Sequence, residues 1–156
     1  MDLHRDFSDL LAELVRSEVS FAIVGGYAVG HHAKPRATKD LDVLVSGVPA
    51  NLERLASALA AFGAPGNVVA AARHMQETDI VFLGVPPVRV DILRSADGIE
   101  TEPALARAVA VKLGELEVKV LALDDLIANK RASGRPQDLS DVALLERVRT
   151  RLGKDE

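Results

Sequence analysis

The stretch FAIVGGYAVGHHAKPRATKDLDVLV, residues 21–45, separates two apolar segments by a glycine pair and begins the second segment with two aspartates. These aspartates, Asp40 and Asp42, are one residue apart. Side chains alternate between the two faces of a strand, so both carboxylates should point to the same side. Like charges this close are costly unless a cation lies between them. The pair therefore marks either a solvated strand end or a metal site.

Composition limits the class of protein. The chain has 156 residues, 48% of them hydrophobic, and a formal net charge of -4. We predict one domain over residues 1–156, with a core over 20–120 and C-terminal helices over 123–151. The absence of cysteine excludes disulfides, thiolate zinc sites and cysteine nucleophiles. The few aromatic residues, 3%, argue against a binder of single-stranded nucleic acid that relies on stacking.

The sequence also predicts a location. The N-terminal residues mix charges among leucines and form no apolar signal region. No apolar run approaches the length that spans a bilayer. We therefore expect a cytoplasmic protein without membrane contact.

Apolar periodicity predicts a mixed α/β (α+β) domain, in which a mixed sheet is flanked by helices and followed by a helical C-terminal end. The predicted helices span 3–18, 27–33, 51–62, 123–132 and 138–151, with Asn51 as a candidate N-cap. The predicted strands span 21–24, 41–45, 80–83 and 88–93. Residues 105–120 fit either a helix or a hairpin that turns at Gly114-Glu115, and their valines favour the hairpin.

A third carboxylate, Asp91, lies within the apolar strand VRVDIL, where an unpaired aspartate is hard to accommodate. If its strand neighbours that of Asp40 and Asp42, the three carboxylates converge. Such a group would hold two divalent ions about 3.5–4 Å apart, the arrangement that serves phosphoryl and nucleotidyl transfer. The alternative is an ion pair between Asp91 and Arg89 or Arg94. Arg89 shares the face of Asp91, so both interpretations can hold together.

The glycine pair, Gly25-Gly26, ends a strand and precedes a helix. Backbone N–H groups at a helix start favour a phosphate, and glycine allows its close approach. Cationic residues at 34, 36 and 39 follow before the carboxylate pair. Without this context the glycines would indicate an ordinary turn. The adjacent His31 and His32 diverge on a helix, so we do not interpret them as a metal site.

The order of these motifs, GG followed by D-L-D and then the isolated Asp91, resembles the signature of the DNA polymerase β-like nucleotidyltransferase superfamily. The segment LDDLIANKRASGRPQDLSDVALL, residues 123–145, resembles the C-terminal helices of its small bacterial members. Those members are the minimal nucleotidyltransferases and the abortive-infection-type toxin nucleotidyltransferases. The resemblance covers roughly residues 20–147, nearly the whole chain.

The resemblance implies roles for individual residues. Gly25 and Gly26 would form the triphosphate loop. The further residues that it implies for nucleotide binding are Arg36, Thr38 and Lys39. The implied catalytic carboxylates, which would also bind Mg²⁺ or Mn²⁺, are Asp40, Asp42 and Asp91, with Asp91 as general base toward the acceptor. Lys130 and Asp138 would join the active site from the helical end.

The implied reaction is Mg²⁺-dependent transfer of a nucleoside monophosphate from an NTP, such as ATP, to a hydroxyl, with release of pyrophosphate. The acceptor could be an RNA 3′ end, a protein or a small molecule. An antitoxin is an expected protein partner. The chain departs from the family at Gly26, where many members have serine, and it lacks the large helical domain with which toxin members hold their acceptor.

Simpler interpretations stay open beside this one. A degenerate, non-catalytic domain could bind a nucleotide or a toxin–antitoxin partner, and a metal-dependent phosphohydrolase could use the same carboxylates. Lys130, Arg131 and Arg135 could form a solvated helix end, and Asp138 and Asp141 could charge the first turn of the last helix. We expect Lys130→Ala to lower transfer by about 10²–10³ and to leave the melting temperature nearly unchanged.

Overall fold

The computed structural model describes residues 5–35, 40–85 and 88–154. Its helices are α1 (Arg5–Arg16), α2 (Gly25–His32), α3 (Pro49–Phe62), α4 (Gly66–Arg73), α5 (Thr101–Arg107), α6 (Leu123–Ser133) and α7 (Pro136–Lys154). Its strands are β1 (Phe21–Val24), β2 (Asp40–Val45), β3 (Ile80–Val85), β4 (Val88–Leu93), β5 (Val109–Leu113) and β6 (Leu116–Val120). The predicted mixed α/β fold is confirmed.

The described strands form a six-stranded sheet in the order β3-β4-β2-β1-β6-β5. β2 runs parallel to β4 and β1 runs parallel to β6, whereas the other neighbours are antiparallel. The sheet is therefore mixed, as predicted. The parallel pairing of β2 with β4 brings together two motifs that are distant in the sequence.

Alternation along β2 separates a core face from a polar face. Leu41 and Val43 are fully buried, whereas Asp40 and Asp42 between them are partly exposed. α1 packs against α3 and also contacts β4 and β6. Its leucines at helical spacing are buried in this core: Leu10, Leu11 and Leu14. The carboxylates are thereby left on the face opposite Leu41 and Val43.

Two short helices were not predicted. α4 contains Ala72 as its buried residue, and α5 contains Ala104. Neither helix carries the wide apolar stripe that sequence periodicity detects. The ambiguous segment is a hairpin of β5 and β6, as the valines indicated, and Gly114 at its turn has φ +66°.

The predicted N-cap of α3 is wrong. The helix begins at Pro49, and its N-cap residue is Val48. Proline suits the first turn because its missing N–H would have no helical partner there. Asn51 lies inside the helix and is buried, and its side-chain amide donates to the carbonyls of Ser46 and Ser20 at 2.8 and 3.2 Å. Asn51 therefore fixes the end of β2 against α3.

In the part of the chain that the structure describes, no helix is both long and apolar enough to cross a membrane.

Candidate active site

Asp42 and Asp91 lie directly opposite each other on β2 and β4, and Asp40 lies opposite Arg89 in the same ladder. Adjacent strands are about 4.8 Å apart and residues in register point to the same face. The predicted convergence of two sequence motifs at one site is thus what the register produces. Burial, together with the negative charges of Asp91 and Asp40, raises the pKa of Asp42 to about 6. We call the residues Asp40, Asp42 and Asp91 the carboxylate row.

Gly25 packs against Asp42. Its φ is +68°, a conformation that residues with a side chain rarely adopt. A Cβ atom at this position would collide with Oδ2 of Asp42. The glycine is therefore required by the backbone conformation and by the carboxylate that lies against it, independently of any ligand.

The helix predicted from Tyr27 begins two residues earlier, so Gly25 and Gly26 form the start of α2. Its N-cap residue is Val24, which makes no side-chain capping hydrogen bond. Valine cannot accept such a bond, so the N–H groups of the first turn receive no side-chain cap from it. This is the backbone arrangement at which helix N-termini bind anions.

Arg89 forms an ion pair with Asp91, as one of the two sequence interpretations predicted. Arg89 Nε lies 2.7 Å from Asp91 Oδ1, and Nη2 lies 3.4 Å from Oδ2. The guanidinium carbon also lies over the ring of Phe82, 4.3 Å from the ring centroid. Arg94 instead donates to the carbonyl of Met75 at 2.7 Å. Within the described ranges, no group of three His, Cys, Asp or Glu side chains is arranged to hold a metal ion.

The helical end contributes a buried cluster of charges. Lys130 Nζ lies 3.3 Å from Oδ1 of Asp138 and 3.3 Å from Oδ2 of Asp141. The three residues are 8%, 1% and 4% exposed, respectively. Arg135 donates from Nε to Asp138 Oδ2 at 2.7 Å. We call Lys130, Asp138 and Asp141 the lysine cluster.

The turn between α6 and α7 brings this cluster together. Gly134 ends α6 in the left-handed conformation, and α7 begins at Pro136. Both α6 and α7 contact α2. The charge of Lys130 lowers the pKa of Asp42 against the larger effect of burial, and the charge of Asp42 contributes to a raised pKa of Arg135. The lysine cluster therefore lies within electrostatic range of the carboxylate row.

The interpretation of Lys130 as a solvated helix-end residue is wrong, because its side chain is buried between two carboxylates. It does describe Arg131, which is exposed and pairs with Glu146. The burial of Lys130 changes what we expect of Lys130→Ala: the substitution would leave Asp138 and Asp141 buried without their shared cation and should lower stability. Burial alone raises the pKa of Asp138, but hydrogen bonds from Arg135 and Lys130 outweigh it and lower that pKa below its ordinary value.

The structure adds little about the role of the remaining predicted residues. Arg36, Thr38 and Lys39 lie outside the described residues. His31 is exposed, and His32 Nε2 lies 2.7 Å from the carbonyl oxygen of Leu121. His32 thus connects α2 to the end of β6.

Sequence reasoning missed two residues beside the site. Asp141 was interpreted as a first-turn charge, although its i, i+3 spacing from Asp138 places both on one helix face. Phe82 lies opposite Asp91 in the ladder of β3 and β4 and is 49% exposed. Its position next to the carboxylate row depends on strand pairing, which the local pattern does not reveal.

Comparison with known proteins identifies the class. Residues 9–155 match the model of the family AbiEii, described as "Nucleotidyl transferase AbiEii toxin, Type IV TA system". The chain is a nucleotidyltransferase, and the resemblance drawn from its motifs is confirmed. It belongs to the AbiEii family of toxins from type IV toxin–antitoxin systems. A search of curated proteins finds no match.

Two solved structures of the antibiotic-resistance factor ANT(2'')-Ia share the fold. Its solution structure gives a TM-score of 0.56 at 16% identity, with 96% of this chain and 90% of that chain covered. Its crystal structure in complex with adenylyl-2''-tobramycin gives a TM-score of 0.58 at 16% identity, with 92% and 91% covered. At this identity the similarity shows the fold alone.

Proposed function

We propose that this enzyme transfers a nucleoside monophosphate from an NTP to a hydroxyl of an acceptor, releasing pyrophosphate, with a divalent cation bound by Asp40, Asp42 and Asp91. The observation that carries the proposal is the register of Asp42 opposite Asp91 on parallel strands. Three carboxylates on one face provide the hard oxygen ligands that Mg²⁺ or Mn²⁺ prefers.

The chemistry of the three carboxylates fits such an ion, although their side chains are not arranged as ligands in the described structure, where Arg89 pairs with Asp91. Asp42 is costly to ionise because it is partly buried beside two like charges, as its raised pKa indicates. A divalent cation would offset that repulsion and would neutralise phosphate charge when bound. The chain's own residues would bind the phosphates, accept the proton of the acceptor hydroxyl and stabilise developing negative charge.

The start of α2 is proposed as the phosphate site. Its first turn lacks a side-chain cap from Val24, and Gly25 places this turn directly over Asp42. Backbone N–H groups there would orient the NTP phosphates beside the carboxylate row. We further propose Arg36, Thr38 and Lys39 as nucleotide contacts, on the strength of the motif alone.

Asp91 is proposed as the general base toward the acceptor hydroxyl. The order of the strands supports this division of roles, because β4 and β1 lie on opposite sides of β2. The nucleotide loop follows β1, so the side of Asp91 is left for the acceptor. A carboxylate within hydrogen-bond reach of the attacking hydroxyl can accept its proton.

Lys130 is proposed to act on the nucleotide from the helical end, with Asp138 as its orienting partner. Two carboxylates fix its ammonium group within electrostatic range of Asp42. A cation held in this way requires little reorganisation to stabilise developing negative charge.

The acceptor and the protein partner are proposals at the level of class. Adenylyl-2''-tobramycin, present in the ANT(2'')-Ia complex, shows an adenylylated small molecule bound to this fold. The type IV toxin family supports an antitoxin as partner and a cytoplasmic setting, in which NTPs are available.

The reaction can be tested with cell lysate as a source of acceptors. The protein is incubated with Mg²⁺, lysate and each NTP in turn, pyrophosphate is quantified, and modified components are identified by mass spectrometry. We expect pyrophosphate together with a mass increase of one nucleotide on a specific component. Asp42→Asn serves as the control and should give neither. Orthophosphate release from NTP by the purified protein without lysate, with no nucleotide-sized mass increase on any lysate component, would indicate a phosphohydrolase and would overturn the proposal.

A further inference from the structure

Arg89 is a cation of the chain itself that lies in the carboxylate row. It is opposite Asp40 in the ladder and two residues before Asp91 on the same strand face. Its hydrogen bond to Asp91 raises the pKa of Arg89, and the charges of Asp91, Asp40 and Asp42 add to that effect. The guanidinium is thus attracted by all three carboxylates at once.

The contact engages both oxygens of Asp91. Nε reaches Oδ1 at 2.7 Å, and Nη2 approaches Oδ2 at 3.4 Å. A divalent cation bound to Asp91 would need at least one of these oxygens. It would also place a second positive charge within a few ångströms of the guanidinium, which is unfavourable. Arg89 and a divalent cation therefore compete for Asp91.

Arg89 can move away from Asp91 and still keep its contacts with water and with the ring of Phe82. Its side chain is 34% exposed, so water is available to solvate the guanidinium. The Phe82 ring, 4.3 Å away, can support a cation over a range of positions across its face. Phe82 is opposite Asp91 on the edge strand, so a short movement over this ring takes Arg89 out of the row.

We propose that Arg89 is an internal competitor for the divalent cation: it neutralises Asp91 in the metal-free enzyme and is displaced when the cation binds, and so it sets the metal affinity. This inference rests on the proposed function, in which the carboxylate row binds the metal. Arg89 is a positioning residue here, since it acts through Asp91.

The test is calorimetric titration of Mn²⁺ into the full-length, nucleotide-free protein. Arg89→Met removes the charge and retains a long apolar stem over Phe82. We expect it to bind Mn²⁺ about tenfold more tightly than wild type, the effect of removing one competing charged hydrogen bond. Arg135→Met is the matched control, because Arg135 also feels the charge of Asp42 but hydrogen-bonds Asp138. We expect its affinity to stay within about threefold of wild type.

The outcomes separate competition from a general charge effect. Equal tightening in both variants would show that loss of any nearby positive charge is sufficient, and it would overturn the proposal. Unchanged or weaker binding by Arg89→Met would do the same. If Arg89→Met does not fold, Arg89→Lys replaces it. Its single ammonium group cannot engage both oxygens in the fork geometry, so it should bind Mn²⁺ more tightly than wild type; an unchanged affinity overturns the proposal.

An Asp42→Asn arm distinguishes this inference from the proposed function. Mn²⁺ binding that is identical in wild type and Asp42→Asn would overturn the metal site itself. Binding that Asp42→Asn abolishes and Arg89→Met leaves unchanged would overturn the role of Arg89 alone.

Discussion

Asp42 and Asp91 are paired in register across two parallel strands, although one follows the glycine loop and the other lies in a separate hairpin. Val24 is the strand neighbour of Asp42, and Phe82 is that of Asp91, so the row lies between the junction of β1 with α2 and the edge strand β3. Both carboxylates point to one face because residues in register share an orientation. This single pairing assembles the proposed metal site, with the proposed phosphate site at the start of α2 on one side and Arg89 and Phe82 on the other.

Asp42 should destabilise the metal-free fold, because it is partly buried beside the like charges of Asp40 and Asp91. Asp42→Asn removes the charge of Asp42 itself and keeps the shape of the side chain. We expect the variant to unfold at a higher temperature in EDTA at neutral pH, with a gain of roughly 1–3 kcal/mol. Differential scanning calorimetry measures this directly. A lower melting temperature would show that ionised Asp42 is well accommodated without a cation.

Gly25→Ala should be strongly destabilising because two costs combine at one position. The left-handed φ of +68° disfavours alanine, and its Cβ would collide with Asp42. Gly114→Ala is a matched control, since Gly114 has φ +66° and nothing lies within 4 Å of its added Cβ. We expect the control to lose about 1 kcal/mol and Gly25→Ala to lose at least about 2 kcal/mol more in urea unfolding. Equal losses of stability in the two variants would contradict the close packing of Gly25 against Asp42.

Lys130→Met should destabilise the fold by about 3–5 kcal/mol, because it leaves two buried carboxylates without their shared cation. Arg131→Met, on the same helix, removes an exposed arginine whose side chain is 56% accessible. We expect that control to change the free energy of unfolding by less than about 1 kcal/mol. Urea unfolding at neutral pH compares the two. Similarly small losses of stability in both variants would show that Lys130 behaves as a solvated residue at the helix end.

The depressed pKa of Asp138 predicts a specific pH dependence. Ionised Asp138 is stabilised by Arg135 and Lys130 in the folded state, despite the opposing effect of burial. Its contribution is therefore fully present above the ordinary aspartate pKa of about 4 and is lost as the pH falls through the lower folded-state pKa. Asp138→Asn should be less stable than wild type at pH 7, and the difference should shrink below about pH 4.

Urea unfolding at a series of pH values measures that difference. Asp124→Asn is the control, because Asp124 has a side chain that is 77% exposed and should affect stability little at any pH. A difference between wild type and Asp138→Asn that is the same at pH 7 and at pH 3.5 would contradict the electrostatic origin of the effect.

The sequence allowed local elements to be predicted but not their association. The alternation of Asp40, Leu41, Asp42 and Val43 predicts a strand with one acidic face, because strand periodicity is a property of neighbouring residues. The pairing of that strand with the strand of Asp91 had to be assumed, since it depends on contacts between distant segments. The order of the motifs indicated this pairing only through the resemblance to a family.

The same limit explains why the solvated helix end stayed open as an alternative for Lys130. A lysine near the end of a helix is favourable to the helix dipole wherever it is solvated. Its burial arises because α7 folds back and supplies Asp138 and Asp141. Gly134 ends α6 and Pro136 begins α7, as such residues favour, but they do not determine which side chains meet across the turn.

The most direct test of the central claim is the thermal stabilisation of the protein by Mg²⁺ and NTP together, measured for wild type, Asp42→Asn and Asp91→Asn. The account predicts that wild type gains about 3 kcal/mol at a ligand concentration near 100 times the dissociation constant, and that both variants lose most of this gain. The same stabilisation in all three proteins would contradict the assignment of metal and nucleotide to the carboxylate row.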